Sequence, residues 1–372
     1  MKSISLLTRS TTTPTRTMKR TNMGTSYRFL QYVTNVERPP KTLITGGLGQ
    51  LGRSLCLLLR DLYGKESVLL TDIAKKPVEL KDVPYCYLNI LDRNSMEEAV
   101  VNYDIDTIVH FSALLSAVGE SNLPLALQVN SLGVQNVLEV ARAHQLKVFI
   151  PSTIGAFGPE TPRDMTPDLT IQRPRTIYGV TKVYAELLGE YYHSKFNVDF
   201  RSLRFPGIIS NVAPGGGTTG KFIYLCHHYA IQIFYDALTA GKHVCYLRPD
   251  TQLPMMFGED CMASVIQLMC APNSSLRMRT YNVTGFSFTP EEIAAEIRKF
   301  LPNFVIEYNI CPIRQGIADT WPRSLNDQNA RDDFGWNPHY NLNATTNIML
   351  ELVSEKLKQT DDGTDMPKRA VM

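Results

Sequence analysis

Tyr178-Gly179-Val180-Thr181-Lys182 places a phenol and an ammonium four residues apart. On a helix, residues at that spacing share a face. A lysine ammonium beside a phenol favours phenolate and depresses its pKa from about 10. Tyr178 is therefore a candidate general base or acid for a substrate hydroxyl or carbonyl. As a bare pattern, a Tyr and a Lys four apart on a helix are more often a solvent-facing pair. Thr153 adds to it. It lies in Pro151-Ser152-Thr153-Ile154-Gly155-Ala156-Phe157-Gly158, at the C-terminal end of an expected strand, where its hydroxyl could hold the oxygen that Tyr178 titrates. These groups handle protons. Hydride transfer would need a cofactor to carry the redox step.

The means of holding one lies upstream. Gly46, Gly49 and Gly52 form G-x-x-G-x-x-G, after the apolar run Thr42-Leu43-Ile44-Thr45 and before a helical pattern through Leu55, Leu58, Leu59 and Leu62. A second strand, Val68 to Asp72, ends in an acid twenty residues after Gly52. Strand, glycine turn, helix, strand, acid is the order of a dinucleotide-binding unit. Gly46 serves the sharp turn, Gly49 the close approach of a pyrophosphate, and Gly52 helix–sheet packing, with the helix N-terminus facing the phosphates. Asp72 can accept from both ribose hydroxyls and would repel a 2′-phosphate, which favours NAD over NADP. Asn89 ends the third strand on the adenine side. His110-Phe111-Ser112-Ala113 ends the fourth, whose C-terminal edge should line the cofactor trough. The competing reading is a structural turn with an unrelated surface aspartate.

The elements that must position these groups alternate. Strands are expected at Tyr85 to Asn89, Thr107 to Ala113, Lys147 to Thr153 and Val198 to Phe205. Helices are expected at Ser95 to Val101, Leu123 to Ala143 and Ile177 to Phe196. This predicts an α/β Rossmann fold, with a mostly parallel doubly wound sheet covered on both faces. After Pro206 the texture changes. Asn211 to Thr219 is a glycine-rich loop and Lys221 to Leu238 a packed helix. Shorter pieces follow at Val244 to Leu247, Asp260 to Met269, Thr280 to Val283 and Val305 to Tyr308. Thr289-Pro290-Glu291-Glu292 reads as an N-cap, first-turn proline and early acids. The expected divisions are a leader at 1–38, a nucleotide-binding domain at 39–206, a substrate lobe at 207–357 with possible strands returned to the main sheet, and a frayed tail at 358–372.

Composition bounds the function. A hydrophobic content of 44% in 372 residues supports a sizeable core. A formal net charge of +2 argues against a large nucleic-acid footprint. No apolar run approaches the roughly 20 residues of a membrane span. The first 36 residues hold six basic groups and no acid, with dense serine and threonine, as organelle transit peptides do. Removing those six from the chain's 38 basic residues leaves 32 against 36 acids, so the basicity belongs to the leader. Seven scattered cysteines without a C-x-x-C pair read as reduced thiols. His227 and His228 are adjacent, and Cys261 and Cys270 are nine apart, so no metal site is expected.

The combination of Thr153, Tyr178, Lys182 and the glycine loop resembles the extended short-chain dehydrogenase/reductases, and most closely the L-threonine 3-dehydrogenase family. Lys41 to Asp72, Val109 to Ser116, Phe149 to Pro162, Arg175 to Glu186, Arg204 to Ile209 and Gly215 to Thr219 carry the likeness, which spans roughly residues 40 to 345. It implies oxidation of L-threonine by NAD+ to 2-amino-3-oxobutanoate and NADH, a homodimer built on the helices at Leu123 to Ala143 and Tyr178 to Phe196, functional coupling to a 2-amino-3-oxobutanoate CoA ligase, and a place in the mitochondrial matrix. Neither nucleic acid nor membrane is an expected partner. Residue reading and resemblance together give Thr153, Tyr178 and Lys182 as catalytic. The cofactor set is Gly46, Gly49, Gln50, Leu51, Gly52, Asp72, Asn89, Ile90, Phe111, Ser112, Ala113, Tyr178, Lys182, Phe205 and Pro206. The substrate set is Ser116, Thr153, Tyr178, Gly217, Thr218 and Thr219, with the loop closing over the amino acid. Asn89 departs from the family, which often has aspartate there; asparagine can still accept a hydrogen bond.

Two readings compete. An NAD-dependent sugar-nucleotide epimerase or dehydratase would share the fold and the Tyr178/Lys182 pair, but would keep its cofactor through the cycle and release no NADH. An NAD-sensing scaffold would keep the fold without needing the intact Thr153, Tyr178 and Lys182.

Overall fold

The computed structural model describes residues 39–210 and 229–361. The expected leader, the Gly217-Thr218-Thr219 loop and the end of the chain lie outside the described residues.

Strand β1 (Thr42–Thr45) is buried along its whole length. Such a strand must have cover on both faces, as in the middle of a parallel sheet. It pairs in parallel with β2 (Val68–Asp72) on one side and β4 (Thr107–His110) on the other. With β3 (Tyr85–Tyr87), β5 (Lys147–Phe149), β6 (Ser152–Thr153), β7 (Asp199–Phe205) and β11 (Thr280–Asn282), the order is β11-β7-β5-β4-β1-β2-β3, with β6 alongside β7. Alternate residues serve opposite cores, as strand period two demands. Ile44, Val109 and Phe149 face the helices Gln50–Tyr63 and Gly258–Cys270. Leu43, Ile108 and Val148 face Arg93–Asn102, Gly133–His144 and Ile177–Phe196. The sheet is doubly wound and its strand order reverses between β1 and β4, the crevice where such folds bind ligands.

Several expected boundaries move, for local reasons. The expected Lys147–Thr153 strand divides into β5 and β6 because Pro151 has no amide to donate to the ladder. The third strand ends at Tyr87, not Asn89, whose side-chain oxygen instead accepts from Leu91 N at 3.1 Å and starts a turn. The fourth ends at His110, so Phe111, Ser112 and Ala113 follow the strand. The long helix expected at Leu123 to Ala143 is helical throughout but not uniform: Leu123–Leu127, a π turn at Gln128–Leu132, then Gly133–His144.

Beyond β7 the chain builds a lobe around a third core. A small sheet of β8 (Gly207–Ile209), β10 (Leu253–Phe257) and β12 (Phe286–Phe288) packs with helices Tyr229–Thr239, Pro290–Arg298 and Leu342–Asp361. β9 (Lys242–Cys245) pairs with β13 (Val305–Tyr308). β11 returns to the main sheet beside β7. Thr289 forms a full capping box with Glu292, with Pro290 in the first turn. The last described helix continues through Lys358 to Asp361, past the boundary at which fraying was expected.

Candidate active site

The glycine loop makes its site from backbone. Gly46 has φ +62°, and a Cβ there would lie 2.7 Å from Ser112 N, so a side chain is excluded both by conformation and by the neighbouring strand end. A Cβ on Gly52 would strike Gly46 O at 2.7 Å, so the first turn of the helix can sit on the loop only without one. Gly49 is the N-cap of Gln50–Tyr63, offers no side-chain cap, and no acid stands in the first turn. The amides and dipole at this helix end are thus left for an outside anion, which fits a pyrophosphate. Asp72 closes β2 beside the loop, its carboxylate accepting from Leu48 N and Ala74 N, both at 3.1 Å. Two backbone donors fix the carboxylate and leave lone pairs for ribose hydroxyls.

The remaining expected cofactor residues divide. Gln50 is exposed and donates to Ser210 Oγ at 2.5 Å, bridging the loop to β8's end. Ser112 N reaches Thr45 Oγ1 at 3.4 Å and Phe111 N donates to Thr45 O at 3.1 Å, which holds this stretch against the glycine loop. Ala113 follows them, half-buried. Asn89 is exposed. Leu51, Ile90 and Phe205 turn their side chains into the cores, and Pro206 is buried at the end of β7. Any contact they make with a cofactor would come through backbone or position rather than an exposed side chain. Ser116 opens the helix Ser116–Ser121.

Thr153, Tyr178 and Lys182 come together. The helix Ile177–Phe196 begins at a Thr176 cap and approaches the Thr153 segment closely, because Gly179 has no side chain: a Cβ there would lie 2.2 Å from Gly155 O. Thr153 Oγ1 accepts from Gly155 N at 3.1 Å and lies on the Tyr178 side of that turn, where its hydroxyl favours the phenolate. Lys182 is buried, donates to Pro151 O at 2.7 Å, and its Nζ lies 5.6 Å from the centre of the Tyr178 ring. Burial pushes Lys182 down to about 8, against the pull of Glu186.

The expected depressed phenol does not hold. Burial pushes Tyr178 up to about 12, and only the Thr153 hydrogen bond works in the other direction. Desolvating a phenolate costs more here than one neutral donor restores.

Two residues that the sequence reading gave no side-chain role complete the setting. Asn130, on the π turn, clamps the backbone of Leu114 in both directions, accepting from its N at 2.8 Å and donating to its O at 2.9 Å. His110 accepts or donates at Nδ1 with Thr45 Oγ1 at 2.8 Å, and burial, then the Lys182 charge, push it down to about 3. It is neutral. It lines, with Asn130, Thr181 and Lys182, a cavity of about 10 Å³. A π turn inside a regular helical pattern leaves no signal in hydrophobic spacing, and a histidine ending a buried strand reads as core.

Residues 42–283 match the NAD dependent epimerase/dehydratase family. The chain is 52% identical to "L-threonine 3-dehydrogenase, mitochondrial" of Bos taurus over 312 residues, 83% of this chain and 82% of the relative. Among solved structures, L-threonine dehydrogenase from Phytophthora infestans superposes with a TM-score of 0.80 at 49% identity, covering 85% of this chain and 99% of its own. The enzyme of that name from Clostridium difficile gives a TM-score of 0.82 at 43% identity, covering 86% and 99%. Glycine loop, strand-end acid and the cluster of half-buried Thr153 and Tyr178 with buried Lys182 agree with these relationships, and the chain belongs to the NAD dependent epimerase/dehydratase family and, within it, to the L-threonine 3-dehydrogenases.

Proposed function

We propose that the chain oxidises L-threonine at C3 with NAD+, giving L-2-amino-3-oxobutanoate and NADH, and that Tyr178 is the general base. The observation that carries this reading is the convergence of the Thr153 strand end, Tyr178 and buried Lys182, held beside the β1/β4 crevice by a chain about half identical to enzymes of that name. Bound NAD+ supplies the hydride acceptor. Gly46, Gly49 and Gly52 leave the helix end open to its pyrophosphate, and Asp72 selects its unphosphorylated ribose. Thr153 orients the substrate hydroxyl. Tyr178 removes that hydroxyl's proton as hydride leaves C3. The Lys182 ammonium favours the phenolate once the substrate oxygen occupies the site. Gly217, Thr218 and Thr219, outside the described residues, belong in this reading to the substrate set for the amino acid.

The assembly is a homodimer. Leu125 and Leu132 on one helical stretch, and Val180, Leu187 and Tyr191 on Ile177–Phe196, are exposed large apolar side chains at helical spacing. A second copy would cover this face. The basic leader and the mitochondrial relative support a mitochondrial location, and the reading puts the enzyme in the matrix, where a CoA ligase would consume the product.

The test is a panel of L-threonine, L-serine, secondary alcohols and UDP-hexoses with NAD+, read at the NADH absorbance. Net NADH with L-threonine is expected. UDP-hexose conversion without NADH release would replace this reading with the epimerase.

A further inference from the structure

Three residues at successive turns of one helix meet three consecutive residues of one strand segment. Tyr178, Lys182 and Glu186 are spaced i, i+4, i+8 on Ile177–Phe196. Tyr178 meets the Thr153 hydroxyl, Lys182 the Pro151 carbonyl at 2.7 Å, and Glu186 the Ser152 hydroxyl. The first two are part of the site described above. The third is not.

Glu186 is 2% exposed, Ser152 4% and Arg204 4%, so this is a fully interior carboxylate. Its oxygens are saturated. Oε1 accepts from Ser152 Oγ and from Arg204 Nε at 3.0 Å; Oε2 accepts from Arg204 Nη2 at 2.8 Å and Gln172 Nε2 at 2.9 Å. Ser152 and Arg204 are register partners across β6 and β7, as Thr153 and Phe205 are next to them. The carboxylate therefore bridges both strands to the helix, one residue from Thr153. Arg204 also donates to Asp168 O at 2.6 Å, which ties the loop after Thr153 into the same unit.

We propose that Glu186 is a positioning residue for the dehydrogenation: through Ser152 and Arg204 it fixes the strand that carries Thr153 against the helix that carries Tyr178 and Lys182. The inference rests on the reading of Thr153, Tyr178 and Lys182 given above. Fixing matters because a reacting oxygen held by two hydroxyls tolerates little error in their separation. Glu186 has an electrostatic part as well. Lys182 is faced by Tyr178 and Glu186 from its own helix and by neutral His110 from β4, while Arg204 on β7 stands behind Glu186. The one anion among these groups is Glu186, and it opposes the burial that strips the lysine's proton. Without it, the Arg204 charge is uncompensated and acts in the same direction as burial.

The experiment compares E186Q and S152A with the wild type, using kcat per NAD-binding site, NAD affinity and the pH profile with L-threonine. E186Q keeps the shape and loses the charge. Its kcat should fall about tenfold or more with NAD affinity nearly unchanged, and the limb that falls at high pH should move down by about one unit, as Lys182 loses its proton earlier. S152A, which keeps the ion pair, should show a smaller kcat loss with the limb in place. Wild-type kcat in E186Q overturns the proposal. So does a loss whose limb does not move, which marks a merely structural ion pair. If E186Q does not fold, S152A decides: reduced kcat at unchanged NAD affinity supports positioning, and wild-type kcat overturns it. A wild-type enzyme that makes no NADH from L-threonine fails the functional reading itself, and is told apart by that result.

Discussion

The two halves of the site are made of different materials. The nucleotide end is a contiguous stretch, residues 42–72, and its working groups are backbone amides, an open helix terminus and one strand-end carboxylate. The proton-handling end gathers Thr153, Tyr178 and Lys182 from a strand and a helix, and its working groups are side chains, Lys182 buried and the two hydroxyls half-buried. The difference follows from what each must do. An anion can be held by dipoles that every peptide already has, so little charge need be buried. Moving a proton requires titratable groups whose environment is controlled, and control here means burial. Tyr178 goes up to about 12 and Lys182 down to about 8, both by desolvation. Binding is cheap in stability; proton chemistry is costly.

The contrast breaks most sharply at Tyr178. Tyr178→Phe should reduce kcat on the order of 10²-fold or more while leaving NAD binding intact; near-normal turnover would leave only a nucleotide-binding fold. At Thr153 the effect should be smaller and graded. Thr153→Ala loses on the order of tenfold in kcat/KM, and Thr153→Ser, which keeps the hydroxyl, retains much of the activity. Equal rates for the two variants would remove the hydroxyl from the mechanism.

Asp72 tests the other half. Asp72→Ala should weaken NAD binding by about tenfold and narrow the preference over NADP, without changing the pH profile of kcat. Titration with both cofactors measures this, and unchanged selectivity would take Asp72 out of the ribose site.

The smallest effect concerns stability and has an unusual sign. The folded-state pKa of Lys182, about 8, lies below the ordinary 10.5, so the unfolded chain holds that proton more tightly. The resulting penalty is complete below about pH 8 and fades as pH rises toward 10.5. Lys182→Met should therefore abolish turnover yet stabilise the fold at pH 7 by on the order of 1 kcal/mol, less as the pH is raised. Denaturant titration across that pH range gives the answer. A destabilised variant at pH 7 would mean that the Pro151 hydrogen bond outweighs the buried charge.

What was legible followed the range of the interactions. The glycine turn, the helix after it and the capping box at Thr289 depend on neighbours within a few residues, and pattern and residue type determined them. Ile177–Phe196 was bounded correctly for the same reason: Thr176 caps its start and Asn197, at φ +58°, ends it. The small sheet of β8, β10 and β12 and the helix Leu342–Asp361 passed unread, because their strands are only three to five residues long and pair across many tens of positions.

The same division holds at the site. The sequence by itself determined which residue types stand where: a glycine loop before a helix, an acid after the second strand, a phenol and an ammonium one turn apart, a hydroxyl at a strand end. Only the tertiary structure decided their protonation energetics and their company. Tyr178 was expected to be acidified by Lys182, but the fold encloses both, and desolvation depends on everything that surrounds a group rather than on its neighbours in sequence. Asn130 on its π turn, His110 beside Lys182, and Glu186 against Ser152 and Arg204 join the site only when strands and helices tens of residues apart are packed together. Spacing along the chain carries no record of such contacts, because they are set by which faces the sheet order brings into register.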